Sequence, residues 1–322
     1  MTLQKLRDRT IMVTGGCGFI GSHLVRALVL GGAGRVIVVD SMRFGDRAHL
    51  ADLAGTIEIL PFTLGTDDPA RLETEVARSE YLFHLAAEKH NASKDDPRAI
   101  IRSNIDGTLT LLELAAKHRI RRVLFTSSLY AYGRMSGPPF VESEVPRPRT
   151  IYGISKLCGE HLLAHFQESS GLDGIALRYL FVYGPEQFAG TGYKSVIVRN
   201  FERILGGERP TIYGDGAQAL DYVYVDDVVR ATIAAMESAP GGEILNVASG
   251  AATSVSDLID TMRRVSGSAA AVSHLPPDST AGSRRVADIT RISKTLGWKP
   301  EVSLEDGLRR TWRWMVEKHD AR

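Results

Sequence analysis

The chain has 322 residues, 43% of them hydrophobic, which is enough for a large core in one large or two moderate domains. Its 39 lysines and arginines nearly balance its 38 aspartates and glutamates, so no charge excess points to nucleic acid or to a membrane. The two cysteines, Cys17 and Cys158, are too few for a disulfide framework or a metal site and suggest reduced thiols in the cytoplasm. Residues 1–9 are polar and no apolar run reaches the length of a membrane span, so we expect neither a signal peptide nor an anchor.

A glycine-rich stretch, TGGCGFIG at 14–21, lies between residues 10–13, which have strand character, and 22–29, which have helix character. Gly15, Gly18 and Gly21 have the spacing of a dinucleotide-binding turn, with two residues rather than one between the first pair. Such glycines permit a tight turn, close approach of the backbone to a pyrophosphate and close helix–strand packing. The helix that follows directs its free N–H groups and its positive dipole end at that pyrophosphate. A second strand, 35–39, ends at Asp40, where a carboxylate can accept hydrogen bonds from an adenosine ribose.

Further along the chain, strands predicted at 57–60, 81–85, 122–126 and 174–179 alternate with helices at 70–77, 104–118 and 152–168. A loop rich in proline and glycine occupies 133–149. This alternation predicts an α/β fold with a Rossmann-type, doubly wound parallel sheet, whose carboxyl edge binds the ligand.

The second half of the chain changes character after residue 180. Helices are predicted at 195–205, 226–237, 255–265 and 304–317, and strands near 210–213, 222–225 and 244–248. We therefore expect a dinucleotide-binding domain at 1–180, to which 222–248 returns. A smaller, interleaved C-terminal α/β domain, 181–221 and 249–322, is expected to bind the substrate.

A candidate catalytic group combines Tyr152 and Lys156, which lie four residues apart on one helical face, with Ser128 at the carboxyl end of a strand. A tyrosine acts as a general base near neutral pH only if its pKa is lowered, which an ammonium and an oxidised nicotinamide would both do. The serine could hold the substrate oxygen, and the lysine could also bind the nicotinamide ribose. A tyrosine–lysine pair at this spacing also occurs by chance on surface helices, so its significance comes from the glycine turn and Ser128.

Together these features resemble the extended short-chain dehydrogenase/reductase family, in particular its nucleotide-sugar epimerase and dehydratase branch. The resemblance runs nearly end to end and rests on the segments TGGCGFIG (14–21), HLAA (84–87), NIDGT (104–108), SS (127–128), YG (132–133), YGISK (152–156), LRY (177–179), VYGP (182–185), GDG (214–216), DYVYVD (221–226) and LGWKP (296–300).

The resemblance implies that Ser128, Tyr152 and Lys156 are catalytic and that NAD is the cofactor. The cofactor contacts implied are Gly15, Gly18, Phe19, Ile20, Gly21, Asp40, Ala86, Ala87, Lys89, Asn104, Tyr152, Lys156 and Tyr179. Asp40 favours NAD because it would repel a 2′-phosphate, and Arg43 leaves NADP as a lesser alternative.

The substrate contacts implied are Glu88, Ser128, Tyr152, Phe181, Val196, Tyr213 and Gln218. Tyr213 would pack beside the nucleotide base, or else be an ordinary core aromatic. Glu88 would bind sugar hydroxyls or pair with Lys89. The helices beginning at Asn104 and Tyr152 resemble the pair that forms a four-helix homodimer interface in the family, with Leu157, Leu162 and Leu163 on the outer face.

Departures from the family pattern bear on the reaction. The 4,6-dehydratases have an acid after the catalytic hydroxyl residue, whereas Leu129 and Tyr130 follow Ser128 here, which argues against dehydration. The acid and arginine set of the decarboxylating relatives is not found. Phe181 and Leu220 replace an asparagine and an arginine of the phosphate clamp, which suggests a rearranged clamp or an unusual substrate. The cations that could compensate, or could simply be solvated, are Lys194, Arg199, Arg203, Arg209 and, in a shifted register, Arg284 and Arg285.

The sequence thus predicts an NAD-dependent 4-epimerase of a nucleotide-diphosphate sugar, with a UDP-sugar as the first substrate to test. A dehydratase using another acid, or an oxidoreductase that stops at the 4-keto sugar, is the alternative. A non-catalytic NAD sensor is a hypothesis of another class, which the intact serine–tyrosine–lysine set disfavours. The sequence leaves the sugar and the base open.

Overall fold

The computed structural model describes residues 3–90, 96–133, 137–187, 194–278 and 280–320. Residues 134–136 of the predicted 133–149 loop therefore lie outside the described part. The strands are β1 (Thr10–Thr14), β2 (Arg35–Asp40), β3 (Ile57–Pro61), β4 (Tyr81–His84), β5 (Arg122–Ser128), β6 (Gly174–Tyr179), β7 (Phe181–Tyr183), β8 (Thr211–Tyr213), β9 (Ala219–Leu220), β10 (Tyr222–Tyr224), β11 (Ile244–Val247), β12 (Thr253–Ser254), β13 (Ser273–Leu275) and β14 (Arg284–Arg285).

The helices are α1 (Phe19–Leu30), α2 (Pro69–Ala77), α3 (Pro97–Ile100), α4 (Gly107–Lys117), α5 (Ile151–Ser170), α6 (Val196–Leu205), α7 (Val225–Ser238), α8 (Val255–Ser266), α9 (Thr290–Leu296) and α10 (Leu304–Asp320). Short 3₁₀ segments occur at Arg47–Leu53 and Leu129–Ala131, and a π-helical segment, Ile101–Asp106, joins α3 to α4. In the described part of the chain, no helix is both long and apolar enough to cross a membrane.

Seven parallel strands form the main sheet, in the order β11–β6–β5–β4–β1–β2–β3. Successive residues of β1 enter two different cores: Val13 packs with α1 and α7, and Met12 packs with α2, α4 and α5. Both faces are thus covered by helices, as parallel sheets require. This confirms the doubly wound α/β fold and places the carboxyl ends of the strands at one edge.

A second lobe forms around its own core, which contains Ile197, Phe201, Leu258, Met262 and Leu308 from α6, α8 and α10. Its small sheets pair β10 with β7, β13 with β8, and β12 with β9 and β14. The helix α9 departs from the predicted division at 249–322, because Ile292 and Trp298 pack in the core of the main sheet. This seven-residue helix is too short to show a helical period in the sequence.

The predicted outer face of the Tyr152 helix is wrong at one position. Leu163 is 2% exposed and lies in the core beneath the sheet, while Leu162 packs beside it. The large apolar side chains that are exposed here are Ile101, Ile151 and Ile154, at 44%, 36% and 43%. The chain also becomes helical before residue 104, because α3 and the π-helical segment precede the predicted start.

Candidate active site

A cavity of about 730 Å³ lies at the carboxyl edge of the main sheet, between the two lobes. The glycine turn, the end of β2, residues 85–89, the end of β5 and the first turns of α5 form most of its wall. The second lobe contributes Ser195 and, from α10, Trp314 and Lys318. This is where a doubly wound sheet binds its ligand.

The glycine turn has the geometry that a pyrophosphate needs. Gly15 has a φ of +73°, which favours glycine. Gly18 is the N-cap of α1 and no side chain caps that helix, so its first N–H groups remain available to a ligand. A β-carbon on Gly21 would lie 2.0 Å from the Gly15 oxygen, so only glycine permits this contact of helix and turn.

Replacing Gly21 with alanine should therefore displace the turn and weaken NAD binding at least about tenfold, with a loss of stability of roughly 1–3 kcal/mol. Calorimetric titration with NAD and urea unfolding would measure both effects. Gly137→Ala is the matched control, since a β-carbon there meets nothing within 4 Å. Unchanged NAD affinity in Gly21→Ala would contradict the assignment of this turn.

The Asp40 carboxylate is fixed at the end of β2, where it is 6% exposed. One oxygen accepts a hydrogen bond from the Cys17 N–H and the other accepts one from the Met42 N–H, each at 2.9 Å. Both bonds leave further lone pairs on the oxygens for a ribose. The carboxylate therefore lines the cavity in a fixed orientation beside the glycine turn.

The Arg43 guanidinium, which offered the NADP alternative, forms an ion pair with Glu88 in the structure, at 2.7 Å between Nη1 and Oε1. The sequence suggested that Glu88 binds a sugar hydroxyl or pairs with Lys89, and it did not suggest a pair with Arg43. The Lys89 ammonium lies 4.6 Å from the centre of the Phe44 ring. Glu88 is 6% exposed, and its Oε2 has no hydrogen-bond partner among the described residues.

Asn104, predicted to contact the cofactor, is not among the described residues that line the cavity. Its side chain accepts a hydrogen bond from the Glu88 N–H at 2.7 Å and donates to the Glu88 carbonyl at 3.2 Å and to Ser155 Oγ at 3.1 Å. Asn104 thus joins the 85–89 loop to the Tyr152 helix. The sequence alone does not distinguish an asparagine that holds this loop from one that contacts the cofactor, because either role requires a buried amide at the same position of the motif.

The structure brings Ser128, Tyr152 and Lys156 together at the cavity. Ser128 ends β5, and Tyr152 lies in the first turn of α5, whose N-cap Thr150 accepts a hydrogen bond from the Gly153 N–H at 3.0 Å. The side chains of Tyr152 and Ser128 are hydrogen-bonded to each other. Lys156 Nζ donates to the Thr126 carbonyl at 2.9 Å and lies 5.8 Å from the centre of the Tyr152 ring.

Burial dominates the acid–base properties of this group in the protein without ligands. Burial raises the pKa of Tyr152 to about 12, although its hydrogen bond with Ser128 acts in the opposite direction. Burial also lowers the pKa of Lys156 to about 7, while the charge of Glu160 opposes that change. In the protein without ligands, desolvation of the phenol thus outweighs its hydrogen bond with Ser128.

A buried ion pair joins α5, the helix that carries Tyr152 and Lys156, to the main sheet. Arg178 donates to both carboxylate oxygens of Glu160, at 2.8 and 2.6 Å, and each side chain is 2% exposed. Ser127, which precedes the catalytic serine, also donates to Glu160. The pair thus connects β5, β6 and α5. No sequence motif predicts this pair, because it joins two different secondary-structure elements; the one signal was Glu160, one turn after Lys156.

The imidazole of His84 joins β1 to the first turn of α4. Its Nδ1 and Nε2 are hydrogen-bonded to the hydroxyls of Thr14 and Thr108, at 2.7 and 2.9 Å. Burial lowers the pKa of His84 to about 3, and the charge of Lys156 is a lesser cause. The ring is therefore neutral in the folded protein at all ordinary pH values.

This depressed pKa predicts a specific acid sensitivity. Below about pH 6.5 the unfolded chain binds a proton at this histidine that the folded chain does not bind, so acid favours unfolding. The contribution should reach about 2 kcal/mol at pH 5. Urea unfolding between pH 5 and pH 7.5 would measure it. His84→Asn should have a lower free energy of unfolding at pH 7.5, but this free energy should fall less on acidification than that of the unmodified protein. If the free energy of unfolding fell equally with pH in both proteins, the prediction would be refuted.

Four of the predicted substrate residues are not among the described residues that line the cavity: Phe181, Val196, Tyr213 and Gln218. All four belong to the second lobe, where Phe181 pairs with Tyr222 and Val196 begins α6. Gln218 is 4% exposed and donates to the Tyr213 carbonyl at 3.0 Å. The assignment of these four residues to the substrate site stays a prediction. The packing of the second lobe sets the positions of their side chains, and sequence motifs do not encode that packing.

The cations that could replace the missing clamp residues have different surroundings. Lys194 pairs with Glu202, and Arg203 pairs with Glu208. The Arg199 guanidinium lies 5.0 Å from the centre of the Tyr213 ring. Arg285 is the register partner of Leu220 on the neighbouring parallel strand, so the two side chains share one face of the small sheet.

Several residues that line the cavity were missed because they lie outside any recognisable motif. They include Phe44, Phe62, Thr63, Gln187, Ser195, Trp314 and Lys318. Among the described residues, no group of three or more histidine, cysteine or acidic side chains is arranged to hold a metal ion.

Comparison with known proteins identifies the class. Residues 11–248 match the model of the NAD dependent epimerase/dehydratase family. A UDP-N-acetyl-alpha-D-glucosaminuronate decarboxylase of Bacillus cytotoxicus is 32% identical over 95% of this chain and 97% of its own. The chain therefore belongs to the NAD-dependent epimerase/dehydratase family, a Rossmann-fold branch of the extended short-chain dehydrogenases/reductases.

Two solved structures show how closely the fold is shared. The UDP-glucose 4-epimerase of Thermotoga maritima, solved with UDP-glucose, has a TM-score of 0.90 at 36% identity, covering 96% of this chain and 99% of its own. The UDP-glucuronic acid 4-epimerase of Bacillus cereus, solved with UDP-glucuronic acid and NAD, has a TM-score of 0.86 at 30% identity, covering 96% and 99%. These relatives share one architecture but differ in substrate and, for the decarboxylase, in reaction.

Proposed function

We propose that this chain is an NAD-dependent 4-epimerase of a nucleotide-diphosphate sugar that acts in cytoplasmic carbohydrate biosynthesis. The observation that carries the proposal is the convergence of Ser128, Tyr152 and Lys156 on the cavity that also contains the glycine turn and Asp40. Two of the solved relatives are 4-epimerases of UDP-sugars, so a UDP-sugar is the first substrate to test.

The residues present fit NAD. The uncapped N-terminus of α1 would hold the pyrophosphate, Asp40 the adenosine ribose, and Lys156 the nicotinamide ribose. Bound NAD would supply a hydride acceptor that returns the same hydride within one turnover. The Arg43–Glu88 ion pair supports NAD rather than NADP, because this guanidinium already has a carboxylate partner.

The chain's own groups handle the proton and orient the sugar. Tyr152 would remove the proton of the sugar 4-hydroxyl, and Ser128 would hold that oxygen by a hydrogen bond. The 4-keto sugar would then rotate in the cavity, so that the hydride returns to the other face of the same carbon. Tyr152 would return the proton to the 4-oxygen. Because the protein alone holds the pKa of Tyr152 at about 12, the positive charges near it must favour the phenolate when the ligands bind.

Epimerisation is favoured over dehydration by the side chains that follow Ser128. Leu129 is 6% exposed and cannot donate a proton to a leaving hydroxyl, and Tyr130 packs edge-on against Tyr152 at 5.7 Å between ring centres. A neutral phenol is a weak acid for this purpose. A dehydratase that uses another acid, or an oxidoreductase that stops at the ketone, is the second candidate, favoured by the range of reactions in the family.

Incubating the purified protein with UDP-, GDP-, CDP- and dTDP-sugars, with NMR and mass readouts, would test the proposal. Epimerisation gives a new sugar of the same mass, whereas loss of water marks dehydration. Loss of two hydrogens with release of NADH marks net oxidation. No new sugar from any member of the panel would contradict the proposal.

We also propose a homodimer formed by α4 and α5 of two chains as a four-helix bundle. The supporting observation is the exposure of large apolar side chains at Ile151 and Ile154 of α5 and at Ile101, in the segment that leads into α4. Light scattering should give the mass of two chains, and the mass of one chain would contradict the dimer.

A further inference from the structure

The end of the C-terminal helix α10 reaches the cavity, which no sequence motif suggested. Trp314 and Lys318 lie four residues apart on this helix, and both line the cavity. The Lys318 ammonium lies 5.1 Å from the centre of the Trp314 ring, close enough for a cation–π contact. The tryptophan thus orients the ammonium at the cavity mouth.

The first turn of α1, whose free N–H groups bind anions, lines the same cavity as Trp314 and Lys318. Phe19, the first residue of α1, packs against the second-lobe core, and Trp314 packs against that same core. Phe19, Ile20, Trp314 and Lys318 all line the cavity. The cation and the N-terminus of α1, which attracts phosphate, therefore face the same cavity.

The charge balance of the cavity wall leaves this cation available. Arg43 is paired with Glu88, and Lys156 is buried and donates to the Thr126 carbonyl. Lys318, by contrast, has no carboxylate partner within the described ranges. Glu186, the acid at the same end, already accepts a hydrogen bond from Ser22 at 2.8 Å and faces Arg26 at 3.8 Å.

We propose that Lys318, oriented by Trp314, binds a phosphate of the nucleotide ligand that occupies this cavity. This inference rests on the proposed function. The ligand chemistry is a nucleoside diphosphate, which both NAD and a nucleotide-diphosphate sugar contain. A lysine suits the role as a point charge on a flexible stem that packs along the tryptophan.

Equilibrium titrations of the full chain with NAD and, separately, with UDP would test the inference. Lys318→Gln should weaken one of the two about fivefold to tenfold and flatten its salt dependence. Lys318→Arg should retain most of the affinity. Arg313→Gln is the matched control, because it removes an exposed cation of the same helix that does not line the cavity. Its affinities should stay within twofold of those of the unmodified protein.

The two titrations identify which phosphate is bound. A loss confined to NAD assigns Lys318 to the cofactor, and a loss confined to UDP assigns it to the substrate. Affinities for both ligands within twofold of the unmodified protein would overturn the inference and leave the proposed function intact. If the unmodified protein bound neither nucleotide, the proposed function would fall together with the inference.

Discussion

Tyr152→Phe should lower epimerase turnover about a thousandfold while leaving NAD affinity nearly unchanged. The substitution removes the phenolic hydroxyl that is hydrogen-bonded to Ser128 and keeps the ring, so the packing of α5 against β5 is preserved. The loss should appear in kcat, because the hydroxyl acts on the proton that leaves during the chemical step. NMR of the product sugar measures turnover, and calorimetric titration measures NAD binding.

Tyr130→Phe is the matched control for this experiment. Its ring contacts Tyr152 edge-on, yet the proposed mechanism assigns no proton transfer to its hydroxyl. We expect this variant to keep activity within about tenfold of the unmodified protein. If Tyr152→Phe kept full activity, the catalytic assignment would be wrong. If it left every measurable property unchanged, a non-catalytic NAD sensor would become the better explanation.

Glu160→Gln should lower the free energy of unfolding by about 3–5 kcal/mol, because it leaves the Arg178 guanidinium buried without a counter-ion. Both side chains are 2% exposed, so water cannot replace the lost carboxylate. Urea unfolding at neutral pH measures the change. Glu305→Gln, which breaks exposed ion pairs with Arg264 and Arg309, is the control and should cost less than about 1 kcal/mol.

A double variant separates the contribution of the ion pair to the free energy of unfolding from the effect of changing each side chain. Glu160→Gln with Arg178→Met removes both charges and should be less destabilised than the sum of the two single variants. Additive changes, or a single-variant loss below about 1 kcal/mol, would show that the pair contributes little. Glu160→Gln should also lower the pKa of Lys156 further, because the Glu160 charge opposes the effect of burial there. The pH dependence of turnover that comes from Lys156 should then move to lower pH.

The site could be predicted from sequence where local geometry alone requires particular residues. Gly21 must be glycine because a side chain would collide with the Gly15 carbonyl, and Tyr152 and Lys156 share a face because they are one helical turn apart. Leu163 shows the limit of such reasoning. Helical spacing defines faces, but the sheet decided which face is buried, and Leu163 lies beneath it.

The sequence by itself determined the family, the doubly wound sheet, the dinucleotide turn and the serine–tyrosine–lysine set, since each is signalled by a motif or a periodic pattern within short stretches of the chain. Only the tertiary structure decided the pairing of Arg43 with Glu88, the supporting role of Asn104, the ion pair behind Lys156 and the approach of Lys318 to the cavity. It also decided that burial raises the pKa of Tyr152. Each of these depends on groups far apart in sequence, whose distance and solvation are set only when the elements pack together.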